Sequence, residues 1–447
     1  MKRAFALFLS LLLAGPVLAR GEKRSSLPEV FHITYETIER IQDGKRSFVS
    51  KEHIATCQRT VDEEINALAD AFDQSIAPLL QPDKDANPRR NSRLDIHVLH
   101  SVSGQSTMSF LVLARESYRR AQRQSPFACR TYDMETGEPI FLTDIFPDDS
   151  EAWDVLAEAV EGALSAYFPK ERPNEAALAS LCSRTALETA NFTLGPVCLS
   201  LHYEARALYP EHPSLMRVSV PYTALRGMMT ELGERCTDNS MYKMVALTFD
   251  DGPAYTTTAA LLNHLRHSGV RATFFLVGDR IGEYEDIVLR ENDEAHSLQS
   301  HHFKHTDTTK STPGRIQAYT QRFDETLSSL TGLSPRMLRA PYGLYEPFIQ
   351  ARVALPMIQW DVDTKDWTGK SSAAILKTVK KETKDGSIIL MHDIVEETPE
   401  SAKLVAQWLT KEGYLCVTVE ELFMHFGQPL EAYRCYYSAQ PNPEAYP

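Results

Sequence analysis

The sequence lacks any cluster of lysine or arginine residues. Of its 447 residues, 47 are Lys or Arg and 60 are Asp or Glu, which gives a formal net charge of −13. Proteins that bind nucleic acid concentrate positive charge on one face or helix, so we expect no nucleic-acid partner. For the same reason, binding to an anionic polymer would require a specific site.

Beyond its N-terminus, the chain has no apolar run long enough to cross a membrane. At the N-terminus, Lys2 and Arg3 precede an apolar stretch over residues 4–14, and a small residue, Ala19, follows shortly after it. This order is typical of a secretory signal peptide, and the stretch is too short for a membrane anchor. We therefore expect residues 1–19 to be removed and the mature protein to be secreted, either extracellular or periplasmic.

No Cys-x-x-Cys motif occurs, although the chain contains seven cysteines. Structural zinc sites use closely spaced cysteine pairs, so this kind of site is not expected. In a secreted protein, cysteines usually form disulfide bonds, and an odd number leaves at least one thiol outside them. We therefore expect disulfide bonds, whose pairing the spacing does not define.

Two regions with different patterns meet at a short polar stretch near residue 240. Hydrophobic residues make up 43% of the chain and charged residues 24%, which is typical of globular domains. Residues 27–232 mix strand and helix signals, which predicts an α+β domain. The length of the chain is sufficient for both regions to form their own cores.

Short apolar runs alternate with amphipathic helical segments from Met244 onward. Residues 244–249 and 357–362 are examples of the predicted strands, and residues 256–266 and 313–330 of the predicted helices. This alternation is typical of a parallel sheet, either open or closed into a barrel. We therefore predict an α/β domain over residues 243–426, followed by a C-terminal tail over residues 427–447 that shows no periodicity.

Polar residues follow five of these apolar runs. Catalytic groups gather at the carboxyl ends of the strands in parallel α/β folds. Taken singly, such residues are often turns, helix caps or exposed pairs, but their common position predicts one cleft. The five clusters are Asp250-Asp251-Gly252-Pro253, His301-His302-Phe303-Lys304-His305, Arg339-Ala340-Pro341-Tyr342-Gly343, Asp363-Thr364-Lys365-Asp366-Trp367 and Leu390-Met391-His392-Asp393.

The residue types in these clusters suit hydrolysis of an acyl group at a metal site. Two imidazoles, from His301 and His305, and one carboxylate form a typical catalytic zinc site that leaves a position for water. Of the adjacent Asp250 and Asp251, one could bind the metal while the other removes a proton from the water. His392 could then protonate the leaving amine.

These motifs are those of a known family. Residues 244–426 resemble the polysaccharide deacetylase (NodB homology) family and contain all five of its motifs in order, from Thr248-Phe249-Asp250-Asp251-Gly252-Pro253 to Leu390-Met391-His392-Asp393. The resemblance implies a distorted parallel (β/α) barrel. It also implies a hydrolase that acts on non-peptide carbon–nitrogen bonds, a polysaccharide N-deacetylase.

The resemblance also implies a role for each matching position. Asp251, His301 and His305 are the expected ligands of one divalent metal ion, with Zn²⁺ the first choice and other divalent ions as alternatives. In the catalytic group, Asp250 is the expected general base and Arg339 the partner that orients it. His392 is the expected general acid, and Asp366 tunes it. The substrate pocket comprises the backbone N–H of Tyr342 for the oxyanion, with Trp367 and Leu390 around the acetyl methyl group.

One position departs from the family pattern. His302 stands where the family has Ser or Thr directly after the first metal histidine, and that hydroxyl supports the loop. The metal ligands themselves are retained. We therefore expect the loop, and not the ligand set, to differ from the family.

Residues 27–232 are similar to an extracellular module that precedes some peptidoglycan deacetylases and to the sensing domain of a lysozyme-binding anti-sigma factor. The strand–turn–strand pattern through Asp133–Gly137 and Leu142–Phe146 carries this similarity. It implies a cell-wall or protein ligand for the first region, beside the polysaccharide substrate of the second.

Three functions are consistent with the sequence. The first is an exported deacetylase of cell-wall polysaccharide, with the N-acetylglucosamine or N-acetylmuramic acid of peptidoglycan as substrate. The second is a deacetylase of chitin oligomers or acetylated xylan. The third is a sensor of cell wall or lysozyme with a secondary catalytic domain. Retention of all the metal-ligand positions favours an active enzyme.

Overall fold

The computed structural model describes residues 32–42, 45–76, 92–118, 121–124, 126–212, 214–344 and 353–439. The expected signal peptide over residues 1–19 and the end of the expected tail, residues 440–447, lie outside the described residues. Within the described ranges, no helix combines the length and the apolar character that a membrane crossing requires.

A six-stranded sheet with one long helix forms the beginning of the described chain. The strands run in the order β1-β2-β3-β4-β5, with β6 also paired to β4, and all pairs are antiparallel except β2 with β3. Helix α1 packs on this sheet through Val61, Ile65 and Ala69, which are fully buried. The elements are β1 His32–Gln42, β2 Lys45–Ala55, α1 Arg59–Ile76, β3 Ser92–Ser103, β4 Thr107–Tyr118, β5 Ala121–Gln124 and β6 Phe127–Asp133.

Six short helices and a three-stranded antiparallel sheet follow. The strands have the order β7-β8-β9, and apolar side chains from the helices, including Trp153 and Leu156, pack against them. The elements are α2 Leu142–Ile145, α3 Ala152–Ser165, α4 Glu175–Leu181, α5 Arg184–Glu188, β7 Phe192–Leu194, β8 Cys198–Glu204, β9 Leu215–Pro221, α6 Tyr222–Leu225 and α7 Glu231–Thr237. We call residues 32–237 the first half.

The second half is a barrel-like arrangement of parallel strands and helices. The central sheet has the order β12-β11-β10-β15-β14, β16 pairs with the beginning of β10, and β13 pairs with β17. The strands are β10 Lys243–Asp250, β11 Thr273–Leu276, β12 Ser297–Ser300, β13 Met357–Ile358, β14 Val362–Asp363, β15 Ile388–His392, β16 Tyr414–Val417 and β17 Cys435–Tyr436. We call residues 243–439 the barrel half.

Helices cover the outside of these strands. Their inward faces form one core with the strands, in which Phe249 of β10 stacks on Phe274 of β11 at 5.2 Å between ring centroids. The helices are α8 Thr257–His267, α9 Gly278–Ile281, α10 Glu285–Asp293, α11 Pro313–Thr331, α12 Ser372–Glu382, α13 Thr398–Lys411 and α14 Val419–His425. The alternation predicted from the sequence is therefore observed, except that the strand expected at 357–362 divides into β13 and β14.

The expectation of disulfide bonds is wrong for this structure. All seven cysteines lie among the described residues, and none forms a disulfide bond. Cys129, Cys198, Cys236 and Cys416 are buried, and burial raises the pKa of these thiols, which disfavours the thiolate through which a disulfide bond forms.

Buried charges join the first half to the barrel half. Arg266 in the last turn of α8 is 4% exposed and donates to Glu52 of β2, with Nη2 and Oε1 2.7 Å apart, and to Glu294 after α10. Tyr242, just before β10, donates its hydroxyl to the carbonyl of Gly104 at 3.0 Å. Tyr242 precedes β10 and Arg266 lies at the end of α8, so both contacts lie at the end of the barrel where its strands begin.

Candidate active site

The carboxyl end of β10 places two carboxylates at the opposite end of the barrel. Strand β10 is buried from Met244 to Asp250, as a central strand of a parallel sheet should be. Asp251 then adopts a left-handed backbone conformation, with φ of 80°, which Asp tolerates better than most residues. The chain bends at this point, so both side chains can face the same cleft although they are adjacent in sequence.

Asp251 meets two histidines from the loop after β12. Its Oδ1 atom lies 3.3 Å from Nε2 of His301 and 3.1 Å from Nε2 of His305. The ligand atoms of the three residues all lie within 4.8 Å of one another. Three side chains from separate positions in the sequence thus converge on one point.

The donor set fits a divalent metal ion. Nδ1 of His301 lies 2.9 Å from the carbonyl oxygen of Arg339, which can only accept, so Nδ1 carries a hydrogen and Nε2 is the ring nitrogen that faces Asp251. Oδ1 of Asp251 is buried and accepts no hydrogen bond from the described residues. Two imidazole nitrogens and one carboxylate oxygen that converge in this way suit Zn²⁺ and related ions.

The protonation of these residues favours the same ligand. Burial raises the pKa of Asp251, but the neighbouring His301 and His305 outweigh burial and hold that pKa below its ordinary value. Burial lowers the pKa of His305 in spite of the nearby Asp251. An ionised carboxylate and a neutral imidazole are the forms that bind metal.

Arg339 holds Asp250 in place. Its side chain is fully buried, and Nη1 donates to Oδ1 of Asp250 at 2.7 Å and to Oγ1 of Thr248 at 2.9 Å. Nε and Nη2 donate to the carbonyls of Ile358 and Gln359, both at 3.1 Å. A buried guanidinium is stable only when its donors are satisfied, so these four acceptors fix its position and that of Asp250.

His392 at the end of β15 is oriented by Asp366. Nδ1 of the ring lies 2.8 Å from Oδ1 of Asp366, and Oδ2 accepts from the backbone N–H of His392 at 2.7 Å and from Thr398 Oγ1 at 2.8 Å. Burial lowers the pKa of His392, but the bond to Asp366 and the charges of Asp250 and Asp251 outweigh burial and raise it to about 9. The imidazolium can therefore donate a proton at neutral pH.

The three predicted pocket residues differ in exposure. The side chain of Tyr342 is 62% exposed and lies edge-on to His305, with 4.4 Å between ring centroids, while Trp367 is 61% exposed. Leu390 is only 3% exposed and therefore presents little surface to a ligand. Tyr342 is also in the left-handed region, with φ of 63°, so the chain turns sharply beside the metal ligands.

His302 is buried in the loop between the two histidine ligands. Its ring packs edge-on against Tyr319 at 5.4 Å between centroids. The loop is held instead by the backbone N–H of His302, which donates to Ser300 Oγ at 3.1 Å, and by its carbonyl, which accepts from Gly278 at 3.0 Å. The ring thus fills space where the family has a hydroxyl.

Three supporting residues were not predicted as part of the site. Thr248 bonds Arg339 as described and also donates to the carbonyl of Ile389 at 2.8 Å, and its position in the first motif was the only signal for it. Thr398 bonds Asp366 from 32 positions away, and no local pattern marks it. Asp393 accepts from Thr258 at 2.6 Å, and burial raises its pKa to about 7.

Comparison with protein families matches residues 237–355 to the polysaccharide deacetylase family. The chain is 34% identical over 195 residues to a peptidoglycan-N-acetylglucosamine deacetylase of Listeria monocytogenes, a match that covers 44% of this chain and 41% of that protein. It is 31% identical over 186 residues to a peptidoglycan-N-acetylglucosamine deacetylase of Bacillus cereus, covering 40% of this chain and 68% of that protein. The chain thus spans less than half the length of the Listeria relative.

Solved structures give similar matches. A structure described as T48 deacetylase with substrate has 37% sequence identity and a TM-score of 0.43, covering 45% of this chain and 99% of that one. The peptidoglycan deacetylase PdaC from Bacillus subtilis has 30% identity and a TM-score of 0.40, covering 40% of this chain and 90% of that one. Each of these two matches covers less than half of the present chain.

Proposed function

We propose, from the premise that this chain belongs to the polysaccharide deacetylase family, that it is a secreted, metal-dependent enzyme that hydrolyses N-acetyl groups of peptidoglycan. The observation that supports this most is the convergence of Asp251, His301 and His305 beside Asp250 and His392. The products would be acetate and a sugar with a free amine.

Asp251, His301 and His305 would hold one divalent ion, Zn²⁺ being the expected one. When bound, such an ion supplies a Lewis acid that polarises the acetyl carbonyl and lowers the pKa of water. The residues themselves contribute orientation, because the bond from His301 to the carbonyl of Arg339 fixes the direction of its ring.

Asp250 would act as the general base. Its Oδ1 accepts from Arg339, while Oδ2 lies 3.9 Å from Nε2 of His301, so the second oxygen faces the metal ligands. The buried guanidinium fixes the carboxylate, which lets it take a proton from the attacking water without first reorienting.

His392 would act as the general acid. Asp366 holds the ring through Nδ1, so the proton that leaves is the one on Nε2. Its raised pKa, about 9, keeps the ring protonated until the amide nitrogen needs a proton. The acid would therefore be in its proton-donating form at neutral pH.

The exposed residues beside the site would bind the sugar. The backbone N–H of Tyr342 would stabilise the oxyanion, and Trp367 and Leu390 would surround the acetyl methyl group. The two exposed rings, Tyr342 and Trp367, give a polysaccharide flat apolar surfaces at the edge of the cleft. Of the three, Leu390 would contribute least because it is nearly covered.

The remaining assignments concern the whole protein. A signal peptide over residues 1–19 would direct secretion to the cell envelope, with an α+β accessory domain over 27–232 and a distorted (β/α) barrel over 243–426. The accessory domain would take a cell-wall or protein ligand. The number and type of the elements in the two halves support this division.

Acetate release from three polymers tests the proposal. The mature protein is loaded with Zn²⁺ and incubated with purified peptidoglycan, chitin oligomers or acetylated xylan, with the Asp250→Asn variant as control. We expect acetate from peptidoglycan, and mass spectrometry should show free amines on glucosamine or muramic acid. Release from chitin oligomers alone would assign the substrate instead to the class named for the Bradyrhizobium chitooligosaccharide deacetylase, which is 30% identical. If no polymer released acetate, the deacetylase proposal would fail and the sensor function would remain.

A further inference from the structure

A barrel strand lies in the segment after residue 427, beyond the strand–helix alternation. Strand β17 pairs in parallel with β13, with Cys435 opposite Met357 and Tyr436 opposite Ile358. The backbone N–H groups of Met357 and Gln359 donate to the carbonyls of Arg434 and Tyr436, both at 2.7 Å. Residues 434–436 are therefore hydrogen-bonded to strand β13 of the barrel.

The other side of this segment reaches the beginning of β15. Ala439 donates its N–H to the carbonyl of Gly386 at 3.0 Å, and Ser438 forms an antiparallel bridge with Ser387. On the opposite side of β13, Leu338 bridges Met357 and Ser300 at the end of β12. Among the described residues, residues 434–439 thus link β13 to the beginning of β15. With this link, the strands form a closed barrel.

Side chains of the segment are buried in the barrel. Ala439 is fully buried, while Cys435 and Tyr436 are each 7% exposed. The ring of Tyr436 packs edge-on against Phe423 at 5.1 Å, and its hydroxyl donates to the carbonyl of Pro429 and accepts from the N–H of Glu431. Burial of this kind stabilises the pairing of β17 with β13.

The end of strand β13 in turn holds the side chain of Arg339 in place. Two of the four acceptors of the guanidinium are the carbonyls of Ile358 and Gln359, at the end of β13. Strand β13 is only two residues long, so its position depends on its neighbours, and β17 is one of them. The guanidinium then holds Asp250.

We infer that residues 434–439 are a positioning element for catalysis, acting through β13 and Arg339 on the base Asp250. This inference rests on the proposed function, because it assigns Asp250 a role in the reaction. Tyr436 and Ala439 are its principal positioning residues, the first through its buried ring and the second through its buried methyl group and its N–H bond to Gly386. The barrel that carries the activity then extends to residue 439 and does not end at 426.

Two substitutions in the full chain test the inference. Tyr436→Ala removes the buried ring, and Ala439→Leu adds volume where none is free, while Tyr437→Ala removes the 43% exposed neighbouring ring as a matched control. A displacement of about 1 Å can cost roughly 10²-fold in rate. We expect both buried-site variants to lose at least about tenfold in kcat, with KM and zinc content close to those of the wild type, and the control to keep its kcat.

A double-mutant cycle separates this role from loss of stability. If β17 acts through Arg339, Tyr436→Ala should have little further effect on kcat in an Arg339→Lys background. In that background the hydrogen bonds of residue 339 to β13 and Asp250 are already disturbed. Independent, multiplying effects would contradict the inference. So would a normal kcat in both buried-site variants, with only a lower thermal midpoint.

Amide hydrogen exchange distinguishes failure of this inference from failure of the proposed function. The amides of Met357 and Gln359 should exchange faster in Tyr436→Ala and Ala439→Leu than in the wild type and Tyr437→Ala. If the wild type releases no acetate, the proposed function fails. Unchanged exchange at the two amides would show that β17 does not hold β13, whatever the activity.

Discussion

Asp250 and His392 lie directly opposite each other on the adjacent parallel strands β10 and β15. Each is the last residue of its strand, and each is held by a buried partner, Arg339 for Asp250 and Asp366 for His392. The proposed base and acid are therefore set by one hydrogen-bonded ladder and not by flexible loops, which favours precise placement.

Replacement of Asp250 should separate catalysis from metal binding. Asp250→Asn keeps the shape of the side chain but cannot accept the proton of the attacking water, so the rate of acetate release should fall about 10²–10⁴-fold. Its zinc content should stay at that of the wild type. Asp251→Asn, the matched change one residue later, should lose the metal as well. Near-normal activity in Asp250→Asn would exclude it as the base.

The alkaline limit of activity should depend on Asp366. The active form of His392 is the protonated one, and its folded pKa, about 9, lies above the ordinary value, so activity should persist through neutral pH and fall as pH rises towards 9. Asp366→Asn removes the bond and charge that raise this pKa, so the fall should move to lower pH. The profile of kcat/KM against pH gives the midpoint of this alkaline fall. An unchanged midpoint in Asp366→Asn would show that a group other than His392 causes the fall.

Metal removal should abolish activity reversibly. A chelator should stop acetate release, and added Zn²⁺ should restore it, because the ion would supply the Lewis acid that polarises the acetyl carbonyl and lowers the pKa of water. Binding can be measured without activity, by titration calorimetry of the chelated protein. His305→Ala should lose most of the heat of binding, whereas His302→Ala, beside the other ligand, should retain it. Full activity of a metal-free preparation would contradict the ligand assignment.

The buried pair that joins the two halves should govern stability and not turnover. Glu52→Gln leaves Arg266 with Glu294 alone, and loss of one partner of a buried ion pair typically costs roughly 3–5 kcal/mol in the free energy of unfolding. Glu63→Gln, whose partner Arg59 is exposed, should have little effect. Denaturant unfolding gives the difference. Because the pair lies at the far end of the barrel, kcat of the folded Glu52→Gln should equal that of the wild type.

The residues of the site could be predicted because each follows a strand and belongs to a short, ordered motif. Asp251, His301 and His305 meet as the spacing suggested, and the predicted pairs of Arg339 with Asp250 and Asp366 with His392 are hydrogen-bonded. Their roles in catalysis remain predictions, which the measurements above address.

Other features depend on tertiary contacts that no local pattern records. Strand β17 is two residues long, and its partner β13 lies nearly 80 positions earlier, so no periodicity marks either one. The hydrogen bond from Thr398 to Asp366 likewise forms only because α13 packs beside Asp366 in the folded chain. The disulfide prediction failed because it used the compartment of the protein and not the positions of the thiols.

The attachment of the first half by Arg266 and Tyr242 has a consequence for access. These residues lie where the barrel strands begin, whereas Asp250, His301 and His392 lie where they end. The buried ion pair attaches β2 of the first half to α8 at that end of the barrel. Under the proposed function, a long glycan strand would therefore bind in a cleft built by barrel residues, at the end opposite to these two attachments.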